Sequence, residues 1–233
     1  MRDKSVYMLA FSPHPVDTEW GIAGTVASLI RQGKEVVYVI VTNGNTGNMD
    51  PDMKPEVLTK IREDEQLAAA KILGVKEVAF LRHQDLGLEY TMDFRKEILR
   101  LLMEYRPEVV ATCDPYQLYF YNRDHRVLGK LVMDSVWPAA LSPNTYPDLL
   151  AEGYKMHKVK EVWLWAAHDP NFKYDISDTF EIKMQAFACH KTQQGEPFPE
   201  FVQIFTERAT EAAKDTDYKM AESFHRLEVP QHL

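Results

Sequence analysis

Apolar residues along this chain follow two different periods. Continuous apolar runs occupy Val6-Tyr7-Met8-Leu9-Ala10-Phe11 and Val36-Val37-Tyr38-Val39-Ile40-Val41. Runs of that length without polar alternation predict strands buried on both faces. Between them Ile22, Val26, Leu29 and Ile30 recur at helical spacing, and Gly33 ends that helix. Leu58, Ile61, Ala68 and Ile72 mark a second helix, closed by Gly74. A third strand follows over 78–81, then a third helix through Phe94, Ile98, Leu101 and Leu102. Val109-Val110-Ala111-Thr112 predicts a fourth strand, and Val127, Leu128, Leu131, Val132 and Val136 a fourth helix.

Strand–helix alternation with apolar strands predicts an α/β, Rossmann-like fold: a mostly parallel sheet with helices on both faces. In such sheets ligands bind outside the carboxyl ends of the strands. The polar clusters at 12–19, 43–48, 83–87 and 114–125 fall at those ends. Beyond Trp137 the pattern changes. Pro138, Pro143 and Pro147 punctuate a loop-rich stretch, 162–166 reads as another strand, and helical periods return at 182–190 and 201–210. No internal repeat, low-complexity tract or linker is visible. The expected organisation is one domain over 1–233, with a core at 6–140 and a C-terminal elaboration at 141–233.

Composition narrows the classes. The chain carries 27 Lys and Arg against 35 Asp and Glu, a net charge of −8. Nucleic-acid binding depends on clustered cations, so no nucleic-acid partner is expected. The first apolar run is six residues long and ends at Ser12-Pro13-His14-Pro15. A secretory core needs ~7–15 apolar residues and a membrane span ~20. No membrane partner is expected, and the cytoplasm is the default location. Two cysteines, Cys113 and Cys189, are too few for a disulfide framework or an all-cysteine metal site.

His14 and Asp17 stand three residues apart in the turn leaving the first strand, and Asp124-His125 opens a helix after another. Two His and an Asp form a usual ligand set for catalytic Zn²⁺, which keeps one position open. Simpler roles compete. Asp17 alone reads as a helix N-cap, and Arg62 with Glu65 as a solvated helix pair. Cys113 reads as a small core residue, Trp137, Trp163 and Trp165 as core, and His83, His157 and His168 as structural. Gly21 and Gly24 suit close helix–sheet packing, since the dinucleotide pattern Gly-x-Gly-x-x-Gly is absent.

The run Ser12-Pro13-His14-Pro15-Val16-Asp17-Thr18-Glu19-Trp20-Gly21 resembles the His-Pro-Asp-Asp signature of the LmbE/PIG-L family of zinc-dependent N-deacetylases. Further marks follow in order: Arg62-Glu63-Asp64-Glu65, Asp85, Asp124-His125-Arg126 and His190-Lys191-Thr192-Gln193. The resemblance spans roughly residues 6 to 193. It implies that His14, Asp17 and His125 bind Zn²⁺, a site that would also accept other divalent ions. It implies a small-molecule substrate, an N-acetylated amino sugar or its conjugate, whose amide is cleaved by water to acetate and a free amine. It also implies that Arg62 and Asp85 hold sugar hydroxyls, that His190 lies close to the site, and that the chain forms a homo-oligomer.

Two positions depart from the family pattern. The family's general-base aspartate falls on Val16, and its second catalytic histidine on Asn122. Valine accepts no proton, and a carboxamide is no general acid near neutral pH. Asn122 can still donate a hydrogen bond to a developing oxyanion, while Asp124, Glu19 and His83 are candidates for the missing proton transfers. Two readings stand: a deacetylase of reduced activity, or a family member that binds metal and ligand without turnover.

Overall fold

The computed structural model describes residues 4–48, 50–119, 122–194 and 198–230. The chain starts with β1 (Met8–Ser12), a two-piece helix α1 (Asp17–Gly21) and α2 (Ala23–Arg31), and β2 (Val36–Thr42). It continues through α3 (Pro55–Leu73), β3 (Glu77–His83), α4 (Met92–Tyr105), β4 (Val109–Cys113) and α5 (Arg123–Val136). The later elements are α6 (Pro147–Ala151), β5 (Glu161–Trp165), β6 (Phe172–Asp175), α7 (Phe180–Phe187), α8 (Lys191–Gln194), α9 (Phe198–Ala212) and β7 (Ala221–Glu228).

Seven strands form one sheet in the order β3-β2-β1-β4-β5-β7-β6. The first five pair in parallel, and β7 pairs antiparallel with both β5 and β6. The chain therefore winds outward from β1 through β2 to β3, then returns to the other side of β1 with β4. The crevice between the carboxyl ends of β1 and β4 is the topological switch point, where open α/β sheets bind ligands. Residues His14 and Asp17 follow β1, and Asp124 and His125 follow β4.

Strand alternation divides the core between the two sheet faces. Leu9, Phe11, Val37 and Val39 face Ile98, Leu102, Leu128 and Val132 of α4 and α5. Met8, Ala10, Tyr38 and Ile40 face Ile22, Val26 and Leu29, together with Trp163 and Trp165. Trp137 stands apart from both, 40% exposed, so the expectation of a core tryptophan fails there.

The segment after 141 is no appendage, because it supplies three of the seven strands of the same sheet. The pattern reading missed β6 and β7. β6 has four residues at the sheet edge, and β7 carries Glu222, His225, Arg226 and Glu228 among few apolar side chains. Helix α3 also differs from its expected stripe. Its buried face runs Leu58, Arg62, Gln66, Ala69, Ala70 and Leu73, while Ala68 and Ile72 are exposed. Two polar side chains occupy the inward face, which a hydrophobicity count cannot detect.

Close approach of α5 to the sheet depends on Gly129. A Cβ there would lie 2.7 Å from the Cys113 carbonyl oxygen and 2.8 Å from Pro115 Cβ. The Cys113 thiol donates to the His125 carbonyl oxygen at 3.2 Å, one helical turn earlier. Gly129→Ala should therefore destabilise the fold by about 1–3 kcal/mol, despite a helix-propensity gain of about 1 kcal/mol. Urea unfolding measures the difference, and a stabilised variant would contradict the packing described.

Candidate metal centre

The turn after β1 is held in an unfavourable conformation. Val16 has φ 87° and ψ −24°, the left-handed region, where a β-branched residue is an outlier. Its surroundings over-determine it. The Val16 N–H donates to Gln66 Oε1 at 3.0 Å, and its carbonyl accepts from Trp20 N at 3.0 Å. Its side chain packs with Met184, Phe187 and Phe205. Arg62 ties the preceding residue down, donating from Nη2 to the Pro15 carbonyl at 2.8 Å and from Nη1 to the Gly44 carbonyl at 2.6 Å.

That turn aims Asp17 at two imidazoles. His14 Nδ1 lies 2.9 Å from Asp17 Oδ2, and His125 Nε2 lies 3.2 Å from the same oxygen. Asp17 also accepts from the His14 backbone N–H at 3.0 Å. It is the first residue of α1, and Val16 occupies the N-cap position without a side-chain cap. The N-cap role open to Asp17 in sequence is thus not the one it takes. On the other ring nitrogen, His14 Nε2 lies 3.1 Å from Asp85 Oδ1 and 3.3 Å from Asp124 Oδ2.

Two groups here have metal-ligand spacing: His14, Asp17 and His125, and His14, Asp85 and Asp124, each with donor atoms within 4.8 Å of one another. Hydrogen bonding separates them. Asp124 already accepts from Leu86 N at 2.8 Å and Leu88 N at 3.2 Å, and Asp85 Oδ2 accepts from Thr46 N and Oγ1. Their lone pairs are largely satisfied, as in carboxylates that orient a neighbouring histidine. The first group opens on a cleft of ≈ 560 Å³ whose lining includes Asp17, His125, Trp20 and Trp165. Two imidazole nitrogens facing one carboxylate oxygen form the donor set that suits a divalent ion.

The other expected site residues bond to the protein itself. Arg62 and Asp85, expected at sugar hydroxyls, are 3% and 4% exposed and make the contacts just given. His190 is fully buried, with Nε2 3.1 Å from Glu19 Oε2. Glu19 also accepts from Gln66 Nε2 and from the Thr18 hydroxyl. Asn122 lines the cleft, but its Oδ1 caps α5 by accepting from Asp124 N at 3.0 Å. Asn is among the best N-cap residues, a structural cause for its presence here. None of the three proton-transfer candidates is among the residues that line this cleft. Asp124 is fully buried behind His14, Glu19 is fully buried, and His83 pairs with Glu97 beside a separate pocket. Glu65, offered as half of a solvated pair, accepts from Thr192 N and Oγ1. Sequence reasoning did not single out Gln66, Lys183, Arg208 or Glu222, none of which lies in a recognisable motif.

Electrostatics couple these groups tightly. Burial opposes charging His14, but hydrogen bonds to Asp124 and Asp17 outweigh it and raise its pKa to about 11. Burial likewise opposes charging His125, and the Asp17 charge overrides it, raising that pKa to about 10. Burial would raise Asp17 and Asp85, yet the imidazoles, with His125 foremost at Asp17 and His14 at Asp85, hold both well below the usual carboxylate range. In chelator-treated protein the folded state thus binds more protons than the unfolded chain between about pH 6.5 and the raised values. The stabilisation from both histidines is complete below about pH 6.5 and lost as pH rises toward 10–11. The melting temperature of chelator-treated protein should fall from pH 6.5 to 9. A rise over that interval would contradict the pairing.

Comparison with known proteins identifies the family. Residues 9–136 match the family model described as PIG-L, GlcNAc-PI de-N-acetylase. A diacetylchitobiose deacetylase of Thermococcus kodakarensis is 36% identical over 195 residues, covering 84% of this chain and 71% of that protein. A probable N-acetyl-α-D-glucosaminyl L-malate deacetylase 2 of Bacillus anthracis is 25% identical, covering 89% of this chain and 90% of that protein. Among solved structures, the N,N'-diacetylchitobiose deacetylase of Pyrococcus horikoshii, complexed with its inhibitor MPG, superposes with a TM-score of 0.90 at 30% identity. That match covers 96% of this chain and 84% of the other. With the paired His-Asp donor set at the switch point of a matching fold, the chain belongs to the PIG-L family, whose model is that of the GlcNAc-PI de-N-acetylases.

Proposed function

We propose that this protein is a zinc-dependent N-deacetylase of an N-acetylated amino sugar or its conjugate, with His14, Asp17 and His125 as metal ligands. The observation that carries the assignment is the convergence of His14 Nδ1, His125 Nε2 and Asp17 Oδ2 at the cleft. The named activities of the relatives support it: diacetylchitobiose and N-acetylglucosaminyl malate deacetylation. A divalent ion held by such residues polarises a carbonyl and brings the pKa of water toward neutrality.

The chain's own residues divide the remaining work. Asp85 and Asp124 fix the ring plane of His14, and Gln66 and Arg62 hold the turn that carries Asp17. Val16 stands where the family pattern places a proton acceptor, and it is buried against Met184, Phe187 and Phe205. Asn122, which lines the cleft and caps α5 through Oδ1, would offer its remaining amide N–H groups to a developing oxyanion. No described side chain at the cleft replaces both missing proton-transfer groups, so solvent serves the leaving amine. One positioned acid or base contributes about 10²–10⁴-fold, and turnover is slow by that order. Val16 and Asn122 equally motivate a second reading, a family member that binds metal and ligand without turnover.

Acetate release from N,N'-diacetylchitobiose and other N-acetylglucosamine derivatives decides between them. The zinc-loaded protein should show slow release that a chelator abolishes, and Val16→Asp should raise it about 10²-fold or more. Zinc-loaded protein that is silent while Val16→Asp turns over would establish the second reading. Silence from both, with zinc bound, would overturn the deacetylase assignment. Asp85→Ala should weaken zinc binding by about 10–100-fold, read by competition with a chromophoric chelator. Unchanged affinity would remove Asp85 from its orienting role.

A further inference from the structure

Charged side chains on the wall of the cleft are paired, with one exception among the described residues. Asp17 meets both imidazoles. Lys183 Nζ lies 2.5 Å from Glu222 Oε1 and donates to the Trp20 carbonyl at 3.0 Å. Glu222 in turn accepts from the backbone N–H groups of Gly24 and Thr25. Arg208 also lines the cleft, and no described carboxylate lies within hydrogen-bond or ion-pair reach of it. Its neighbours on α9 are engaged elsewhere, Glu207 with Gln203 and Glu211 with Lys214. In a protein of net charge −8, a lone cation in the substrate cleft needs an explanation.

The placement of Arg208 preserves its donors. Phe205, Arg208, Ala209 and Ala212 share one face of α9 and line the cleft together, the two alanines leaving space beside the guanidinium. The guanidinium carbon lies 5.5 Å from the centroid of the Trp20 ring, and Trp20 packs on Phe205 with centroids 4.4 Å apart. A guanidinium held over an aromatic face keeps its in-plane N–H groups available, the fork that matches a carboxylate or phosphate. Arg208 remains exposed to the open cleft, although surrounding groups withdraw enough water to lower its pKa. Trp20 stands one helical turn after Asp17, ~5 Å along the axis. The indole thus joins the metal donor set to the guanidinium.

We infer that Arg208 is a specificity-determining residue that binds an anionic group, carboxylate or phosphate, on the part of the substrate away from the acetamide. The preferred substrate is then an acidic conjugate of an N-acetylamino sugar, rather than a neutral oligosaccharide. This assignment rests on the deacetylase reading for its amino sugar and on Arg208 for its charge.

The test uses the zinc-loaded full chain and three probes: methyl N-acetylglucosaminide, an N-acetylglucosaminyl glycoside of a hydroxy acid, and N-acetylglucosamine 1-phosphate. The protein should favour at least one acidic probe over the neutral one by about tenfold in kcat/KM, carried by KM. Which acidic probe leads separates carboxylate from phosphate. Arg208→Met should collapse that ratio toward one, and Arg208→Lys should restore part of it. A merely structural Arg208 would lower all three probes together and leave the ratio intact. No preference for either acidic probe, or a preference that survives in Arg208→Met, would overturn the inference. If no probe releases acetate, the deacetylase reading fails separately. Calorimetric binding of the same three probes then decides the role of Arg208 by the same ratio.

Discussion

The His14 imidazole joins three parts of the chain that are distant in sequence. Its Nδ1 faces Asp17 in the turn after β1, and its Nε2 faces Asp85 after β3 and Asp124 at the start of α5. Each partner is itself anchored: Asp124 by the Leu86 and Leu88 N–H groups, Asp85 by Thr46. A buried imidazole among three carboxylates is tolerable only as a cation or beside one. That requirement raises the basicity of His14 and holds Asp17 and Asp85 ionised. The cleft, the donor set and the order of the surrounding loops all follow from this one cluster.

Beneath it runs a second polar layer that sets the backbone. Gln66 accepts from Val16 N–H and donates to Glu19, which also meets His190, while Arg62 spans the Pro15 and Gly44 carbonyls. These contacts hold Val16 in the left-handed region, at a cost of about 1–3 kcal/mol for a residue of its kind. Aspartate tolerates that conformation better than valine does. The position is filled by an apolar residue, which joins the Met184, Phe187 and Phe205 cluster. On the other side of the cleft, Asn122 caps α5.

Much of the frame was legible in advance. Apolar runs at 36–41 and 109–112 identify central strands because a parallel strand is buried on both faces and cannot alternate. The spacing of His14 and Asp17, and the position of Asp124-His125 after another strand, place the donors at the sheet's carboxyl end. Strands β6 and β7 stayed hidden, because an edge strand and a strand rich in charged residues have no apolar signature. On α3 the apolar positions suggested the wrong stripe, since Arg62 and Gln66 bury polar groups that local periodicity counts as exposed.

The sequence by itself determined the α/β frame, the family resemblance, and Val16 and Asn122 as departures from the pattern it resembles. These are properties of residue type and order, which need no folding to read. Only the tertiary structure decided that Asp85 and Asp124 face the Nε2 side of His14, that Arg62 reaches the Pro15 and Gly44 carbonyls and His190 meets Glu19, and that Arg208 lies over Trp20 with no described carboxylate in reach. Each of those roles depends on which donors and acceptors have already been satisfied by distant parts of the chain. Hydrogen-bond satisfaction is set by three-dimensional neighbours, and no one-dimensional spacing encodes it.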